Sequence, residues 1–202
     1  MDKTALFKLS YGLFLLHVKN GDKDNACVIN TAMQLTSTNP IRISITVNKQ
    51  NLTAMMLNKT KEFNLSVLSE KAPFSLFERF GLTSGMNAEK FPNTMGFLRA
   101  ENGILYAEKY ANAMLSARVT ETVDLDTHTM YIAELTEAKV LSSDPSMTYA
   151  YYFANVKPKP ETPKKSGYVC KICGYVYEGE TLPPDFVCPL CKHGAEDFEP
   201  IK

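Results

Sequence analysis

The chain has 202 residues, of which 45% are hydrophobic, enough to bury one sizeable core and a small additional module. Its 22 basic and 22 acidic residues give a formal net charge of zero, and no segment is rich enough in Lys and Arg to follow a nucleic-acid backbone. No apolar run reaches the roughly 18 residues that span a bilayer, and Lys8 and Ser10 interrupt the N-terminal run. We therefore expect a soluble, cytoplasmic protein that binds neither nucleic acid nor membranes.

Five segments before residue 150 have the composition of β-strands. Residues 12–18 and 41–47 are rich in apolar and β-branched side chains, and residues 63–69 and 113–125 alternate apolar with polar positions. Residues 127–141 continue after a short turn, which predicts an antiparallel pair with the strand before them. The pattern predicts a mainly β unit, built as a barrel or a sandwich.

Two helices interrupt these strands. In "NLTAMMLNKTKEF", Asn51 is a candidate N-cap, and four residues recur at helical spacing: Leu52, Met55, Met56 and Lys59. In "APFSLFERFG", three aromatic residues share one face, namely Phe74, Phe77 and Phe80, and we expect Gly81 to end the helix. Stripes of Met and Phe at this spacing favour core packing over cofactor contact.

A Pro- and Lys-rich stretch divides the chain. "FANVKPKPETPKKSG" contains three prolines and four lysines, a composition typical of semi-extended tethers. It predicts a large domain over residues 1–155, a linker over 156–167 and a small domain over 168–202. From Tyr168 onward three lysines face six carboxylates, so the tail is an acidic module that favours docking on basic surfaces.

Four of the five cysteines lie in this tail as two Cys-x-x-Cys pairs: Cys170, Cys173, Cys188 and Cys191. Such pairs supply a tetrahedral sulfur cage for zinc or a single iron ion, and the pattern favours metal thiolates over disulfides. Cys27 stands apart, and we expect it to be a small buried hydrophobe.

The residues around these cysteines resemble rubredoxin. The resemblance covers residues 168–202 and rests on an aromatic residue before the first Cys and on Gly174, Tyr175, Tyr177, Pro189 and Phe198. It implies an Fe(Cys)4 centre that exchanges one electron, with zinc as the alternative. The short gap between the pairs is similar to that of rubrerythrins, and Phe186 and Lys192 replace the usual Trp and Gly.

Residues 5–150 resemble the flavin reductase-like family of FMN-binding split barrels. The likeness rests on Asn25-Ala26, Asn30-Thr31 and Pro40, and it continues through Lys90-Phe91 to "DTHTMYIAEL". It implies a split β-barrel with short helices that binds FMN. For the pyrimidine edge of the flavin, the chain offers Asn30, Thr31, Gln34, Leu35 and Thr36. For the phosphate, it offers Thr46, Asn48, Lys49, Asn51 and Thr53 where a helix begins, although such a group also suits an ordinary polar turn with an N-cap.

By the same resemblance, His128 lies near the flavin and the incoming nicotinamide, where it would position the hydride donor or balance charge on reduced flavin. A strand-end histidine satisfied by its neighbours is the alternative. The resemblance also implies a homodimer with flavin near the subunit interface, and it makes the aromatic residues 74–80 and 148–153 candidate dimer contacts.

Together the two resemblances suggest an enzyme similar to the fused, high-molecular-weight rubredoxins. FMN would take electrons from NAD(P)H or a flavoprotein donor and pass them singly to the tethered iron, and from there to an acceptor such as a flavodiiron protein. Two alternatives remain open at this stage: a flavin reductase with a structural zinc-ribbon docking tail, or a passive FMN carrier without hydride chemistry of its own.

Overall fold

The computed structural model describes residues 2–158 and 167–201. It divides into two compact units, Ser10–Lys157 and a second unit formed by Met1–Leu9 and Pro158–Lys202. Most of the predicted linker over residues 156–167 lies outside the described residues. Among the described helices, none is long and apolar enough to cross a membrane.

The larger unit is built on one antiparallel sheet of seven strands in the order β2-β1-β5-β8-β9-β4-β3. These strands are β1 Phe14–Asn20, β2 Lys23–Ile29, β3 Ala32–Gln34, β4 Arg42–Asn48, β5 Glu62–Leu68, β8 Ala111–Leu125 and β9 His128–Val140. A separate hairpin comprises β6 Phe97–Arg99 and β7 Leu105–Ala107. All five predicted strand segments are confirmed.

The connection between β2 and β3 shows that the sheet curls into a barrel. These two strands lie at opposite edges of the sheet, yet only Asn30 and Thr31 separate them along the chain. The three Cα–Cα steps from Ile29 to Ala32 reach at most about 11 Å, so the two edges must approach each other. The predicted Asn30-Thr31 pair is therefore the seam of a split barrel.

Alternation along the strands fills the barrel. Leu16 and Val18 of β1 and Ile43, Ile45 and Val47 of β4 point into one core cluster. Tyr131 of β9 and Cys27 of β2 belong to the same cluster, with Cys27 only 5% exposed, so the expectation of a buried Cys27 is confirmed.

Helix α1, Leu52–Thr60, packs on this core. Asn51 occupies the predicted N-cap position but makes no side-chain capping hydrogen bond. The buried residues of the helix are Thr53, Ala54, Met56 and Leu57. The predicted stripe is wrong at Met55, which is 43% exposed, because the inward face of the helix is formed by the buried residues on either side of it.

A second cluster covers the other side of the sheet, where α2, Phe74–Phe77, continues as a π-helical segment, Glu78–Leu82. The prediction that Gly81 ends the helix is wrong, because the wider π turn carries the chain through it to Leu82.

Phe77 packs 4.4 Å from Tyr152 between ring centroids. Tyr152 lies where α3, Tyr149–Tyr151, passes into a π-helical segment, Tyr152–Val156. These aromatic residues thus pack against one another within the chain, and their role as dimer contacts stays a prediction.

The smaller unit contains the four tail cysteines. Its three-stranded sheet has the order β11-β10-β12, with β10 Tyr168–Cys170, β11 Val176–Tyr177 and β12 Phe198–Pro200. A 3-10 turn, Ala195–Asp197, precedes β12, and another 3-10 helix spans Lys3–Lys8.

Candidate metal centre and cofactor site

The two Cys-x-x-Cys turns bring four sulfur atoms together. The Sγ atoms of Cys170, Cys173, Cys188 and Cys191 all lie within 4.8 Å of one another. The closest pairs are Cys173 with Cys188 at 3.4 Å and Cys170 with Cys191 at 3.6 Å. A tetrahedron with metal–sulfur bonds of about 2.3 Å has edges of about 3.8 Å, so the four sulfurs fit one tetrahedral ion.

Both turns share one backbone arrangement. The N–H of Cys170 donates to Tyr175 O, and that of Gly174 donates to Cys170 O, each at 2.8 Å. The second turn repeats the pattern eighteen positions later, with Cys188 N donating to His193 O at 2.8 Å and Lys192 N donating to Cys188 O at 2.9 Å. Gly174 and Lys192 both have positive φ, +74° and +62°. This repeated geometry points both pairs of thiols at a common centre.

Aromatic rings cover the sulfur cage. Phe186 stacks on Tyr175, lies 4.7 Å from Tyr177 and meets Phe198 edge-on at 5.4 Å, all between ring centroids. Cys170, Cys173 and Cys188 are buried, whereas Cys191 is half-buried. Burial raises the pKa of Cys173 to about 11, so a metal ion must displace protons to bind there.

On the barrel, the strand register aligns part of the predicted flavin site on one sheet face. Residues directly opposite in adjacent antiparallel strands share a face. One row therefore runs through Thr46, Met130 and Val123, and a second runs through Asn48, His128 and Leu125. A third row runs through Met33, Ser44, Ile132 and Glu121. We call these three rows the outer sheet face.

The outer sheet face offers both apolar area and hydrogen-bonding groups. Met33 is 61% exposed, and Val123 and Leu125 are also exposed. Three rows two residues apart span about 13 Å along the strands, and four strands span about 14 Å across, which is enough for a planar tricyclic ring. The apolar members of this face were missed in the sequence, although "HTMYIA" places Met130 and Ile132 on the face opposite to Tyr131 and Ala133.

The barrel seam continues this face. Thr46 N donates to Thr31 O at 3.1 Å, and Thr31 Oγ1 donates to Asn30 Oδ1 at 3.0 Å. His128 begins β9, is half-buried, and has its Nδ1 2.8 Å from Thr127 Oγ1. The structure thus brings together Asn30, Thr31, Thr46, Asn48 and His128.

Other predicted residues lie elsewhere. Gln34 is paired with Ile43. Its side chain is exposed, its Nε2 donates to Thr36 O at 2.8 Å, and with Ile43 it lines a mainly apolar cavity of about 300 Å³. The loop after β3 is closed by Thr36, whose Oγ1 donates to Pro40 O at 3.0 Å and accepts from Arg42 N at 2.8 Å. Leu35 is 44% exposed in the same loop.

The predicted phosphate group is also split. Lys49 Nζ pairs with Asp124 Oδ1 at 2.6 Å, and this hydrogen bond, with a second from Asp126 N, lowers the pKa of Asp124. Thr53 is buried, and its hydroxyl accepts from Asn25 Nδ2 at 2.8 Å, so it supports the helix N-terminus from inside. Asn48 Oδ1 accepts from Gln50 N at 2.9 Å, within the turn that leads into α1.

A buried cation near α1 was not singled out as a site residue. Lys90 is 5% exposed, and its Nζ donates to Ala26 O at 2.9 Å and Phe80 O at 3.1 Å. Burial lowers the pKa of Lys90. It lines a cavity of about 470 Å³ together with Asn25 and Gly85, where a Cβ on Gly85 would lie 2.3 Å from Asn25 Oδ1.

Both units match known protein families. Residues 6–159 match the model of the flavin reductase like domain. The chain belongs to the flavin reductase-like family. Residues 168–199 of this flavin reductase-like protein match the rubrerythrin, rubredoxin-like domain, so the tail is a rubredoxin-like module.

Two curated relatives share most of this chain. A high molecular weight rubredoxin of Moorella thermoacetica is 36% identical over 231 aligned positions, covering 100% of both chains. A ferric-chelate reductase (NAD(P)H) of Archaeoglobus fulgidus is 31% identical, covering 81% of this chain and 95% of its own. With the family match, these relatives identify the chain as an oxidoreductase with a flavin-binding fold and a rubredoxin-like centre.

Solved structures agree on the barrel fold. Flavoredoxin from Methanosarcina acetivorans has a TM-score of 0.58 at 20% identity, covering 65% of this chain and 69% of its own. The NADH:FAD oxidoreductase SgcE6 of Streptomyces globisporus has a TM-score of 0.62 at 18% identity, covering 73% and 88%. The mainly β, split-barrel prediction is confirmed.

Proposed function

We propose that this oxidoreductase transfers electrons from NAD(P)H or a flavoprotein donor, through FMN, to a single iron in its own rubredoxin-like module. The observation that carries the proposal is that one chain combines a flavin reductase-like barrel with a four-thiolate cage. When bound, FMN accepts a hydride and releases its electrons singly, which an Fe(Cys)4 centre requires. An acceptor protein such as a flavodiiron protein would then take the electrons.

The outer sheet face supports a flavin site. Met33, Met130 and Val123 give an apolar bed on which a planar ring can lie, and Thr31 and Thr46 border it with hydroxyl groups. Asn48 stands two residues from Thr46 on the same strand, next to the turn that leads into α1. We assign Asn48 and the backbone N–H groups of that turn to the phosphate.

His128 is assigned to the nicotinamide side of this face. It is half-buried, opposite Asn48, and Thr127 holds its Nδ1. A ring held in this way can orient an incoming hydride donor or offer a positive charge to reduced flavin. Replacing His128 with Asn should slow reduction by NADH while bound FMN is retained.

The homodimer and the cytoplasmic location also remain proposals. Met33, Val123 and Leu125 are exposed apolar side chains of the outer sheet face itself, which suits a flavin-bearing surface that a second copy covers. Sedimentation of the wild type and of a Val123→Lys variant would test this.

The cytoplasmic proposal is supported by the cysteines. All five are free thiols in the described residues, as expected in a reducing compartment.

An anaerobic visible spectrum, recorded before and after addition of NADH or NADPH, tests the main proposal, with iron and zinc quantified on the same sample. We expect flavin and iron–thiolate bands that both bleach. Cys188→Ser should remove the iron band and keep the flavin band, whereas the matched variant Cys27→Ser should keep both.

Other results would select the alternatives. Zinc without iron would make the tail a structural or docking element of a flavin reductase. Iron with a flavin that neither nicotinamide reduces, but that a photochemical reductant does, would indicate a carrier fed by a separate protein. Flavin that bleaches while iron stays oxidised would refute transfer between the two centres.

A further inference from the structure

The second half of β8 has a free edge. β5 pairs with β8 as far as Arg118, whereas β9 pairs with it to the hairpin turn at Leu125. Next along β8 on the β5 side, Val119 N donates to Lys61 O at 2.8 Å. In the part of the chain that the structure describes, no strand pairs with that side of residues 120–125, and all six are exposed. We call these six residues the free edge of β8.

The free edge presents backbone donors and acceptors to its surroundings. A two-residue turn closes the hairpin, so the Leu125–His128 pair is hydrogen-bonded, as is every second pair after it. Thr122 and Asp124 belong to the pairs between these, and their N–H and C=O groups point away from β9. The edge is about 20 Å long, enough for another strand. Edges of this kind readily pair with a second chain.

We infer that the free edge of β8 pairs with the same edge of a second copy of this chain, antiparallel and about a two-fold axis at Val123. The inference rests on the proposed homodimer and gives it an interface. In this register, Thr122 of each copy lies opposite the partner's Asp124. Each of these two pairs exchanges two backbone hydrogen bonds, so about four bonds join the copies.

Side chains select this register among those that the backbone allows. A two-fold axis at Glu121 or at Asp124 would set two like charges directly opposite each other, which destabilises a strand pair. An axis one residue before Val123 would place the partner's Leu125 opposite Val119, whose N–H already donates to the residue that caps α1. At Val123, two exposed apolar side chains face each other instead.

The charges at the two ends of the free edge are complementary. The hairpin tip carries the exposed Asp124 and Asp126, and the other end lies beside the exposed Lys61. Antiparallel pairing brings the acidic tip of each copy to the Lys61 end of the other, where the partner's Asp126 lies opposite Thr120. Such complementarity favours a second copy in this orientation.

The pairing also extends the outer sheet face into the second copy. Residues directly opposite each other share a face, so the row of Thr46, Met130 and Val123 continues into the partner's Val123. The row that contains His128 continues into the partner's Glu121. Each proposed flavin site therefore receives a carboxylate from the other copy, on its His128 side.

Cysteine substitutions at exposed positions test both the pairing and its register. Opposite residues in a non-hydrogen-bonded pair, such as the two Val123 residues, have Cα atoms about 4.5 Å apart, within reach of a disulfide. Full-length variants are incubated with oxidised glutathione, which is reduced to two glutathione molecules for each disulfide formed. Thiols are then blocked with N-ethylmaleimide before non-reducing gel electrophoresis. The wild type, with its five native thiols, gives the background.

We expect at least about tenfold more covalent dimer from Val123→Cys than from Thr122→Cys, whose two copies would lie about 8 Å apart between Cα atoms. Glu121→Cys and Leu125→Cys should each stay at the background, because each lies about 14 Å from its own copy. When these two variants are co-expressed, they should cross-link with each other, since Glu121 of one copy lies opposite the partner's Leu125.

Three results would overturn the inference. Cross-linking of Thr122→Cys in place of Val123→Cys would move the axis. A Val123→Cys variant at the background, with a wild type that sediments as a dimer, would leave the homodimer to another surface. A wild type that sediments as a monomer would refute the homodimer as well. None of these results depends on iron or on NADH, so the proposed electron transfer is decided separately by the visible spectrum.

Discussion

His17 should make the stability of the barrel depend on pH. Its ring is 1% exposed and lies among Phe91, Phe97 and Ser66, with Nε2 3.2 Å from Ser66 Oγ. Nδ1 has no hydrogen-bond partner, so a protonated ring would bury an N–H without an acceptor. Burial accordingly lowers the pKa of His17 from 6.5 to about 3.

The direction in which stability changes with pH follows from proton binding. The unfolded chain binds a proton at His17 below pH 6.5, whereas the folded chain does so only near pH 3, so stability is lost as pH falls through this window. Each unit of pKa difference is worth about 1.4 kcal/mol, so the contribution changes by about 2 kcal/mol between about pH 6 and pH 4.5.

Replacing His17 with Phe removes this titration. Denaturant unfolding of both full-length proteins, followed by far-UV circular dichroism, gives the difference in unfolding free energy at each pH. We expect the wild type to lose stability relative to the variant by the amount given above, since carboxylates and metal thiolates are common to both and cancel. His128→Phe, at the half-buried start of β9, is the matched control. A difference that stays constant from neutral to acid pH would refute the buried, neutral histidine.

Three further predictions concern the helix cap, the metal cover and the flavin site. Lys61→Gly should stabilise the barrel by about 0.5–1 kcal/mol in denaturant unfolding, because Lys61 at the C-cap has a φ of 61°. Lys59→Gly, inside α1, should instead destabilise it by about 1 kcal/mol. Changes in unfolding free energy of the same sign in both variants would contradict the cap geometry. Phe186→Ala should destabilise the small module by about 2–3 kcal/mol and speed thermal loss of the iron–thiolate band, because the Phe186 ring contacts Tyr175, Tyr177 and Phe198. Phe186→Trp is the conservative control, and equal rates of loss for the two variants would count against this role. Asn48→Ala should weaken FMN binding about tenfold in fluorescence titrations with little loss of stability. Thr53→Ala should lower the melting temperature and change FMN affinity less, because the Thr53 hydroxyl is hydrogen-bonded to Asn25 in the interior. The reverse pattern would assign FMN binding to Thr53 and a structural role to Asn48.

Local patterns carried the sequence predictions that are confirmed. The thiol pairs Cys170/Cys173 and Cys188/Cys191 need only short-range spacing to form a cage, and the β8–β9 hairpin needs only two alternating segments around a short turn. Asn30 and Thr31 were predicted as cofactor contacts from resemblance, and their place at the barrel seam depends on the order of all seven strands.

The positions of some predicted site residues depend on long-range register. Gln34 was predicted at the pyrimidine edge together with Asn30 and Thr31, but pairing with β4 sets it opposite Ile43, on the face opposite to Met33. Thr53 has the residue type of a phosphate ligand, and only the approach of Asn25, 28 positions away, identifies it as internal. The π-helical continuation of α2 through Gly81 likewise follows from the packing of Phe77 and Phe80, because a lone glycine does not predict a π turn.

The repeated thiol turns divide the small module into parts that differ in their freedom to change. Each turn places its own two sulfurs through hydrogen bonds that begin and end within six residues, so the spacing within a pair cannot vary without moving the metal. The segment between Tyr177 and Phe186 contributes no ligand, and doubling the length of a flexible loop costs only about 0.6 kcal/mol in closure entropy. Insertions, deletions and changes of charge can therefore accumulate between the pairs while the centre stays the same, so one metal site can acquire many different surfaces.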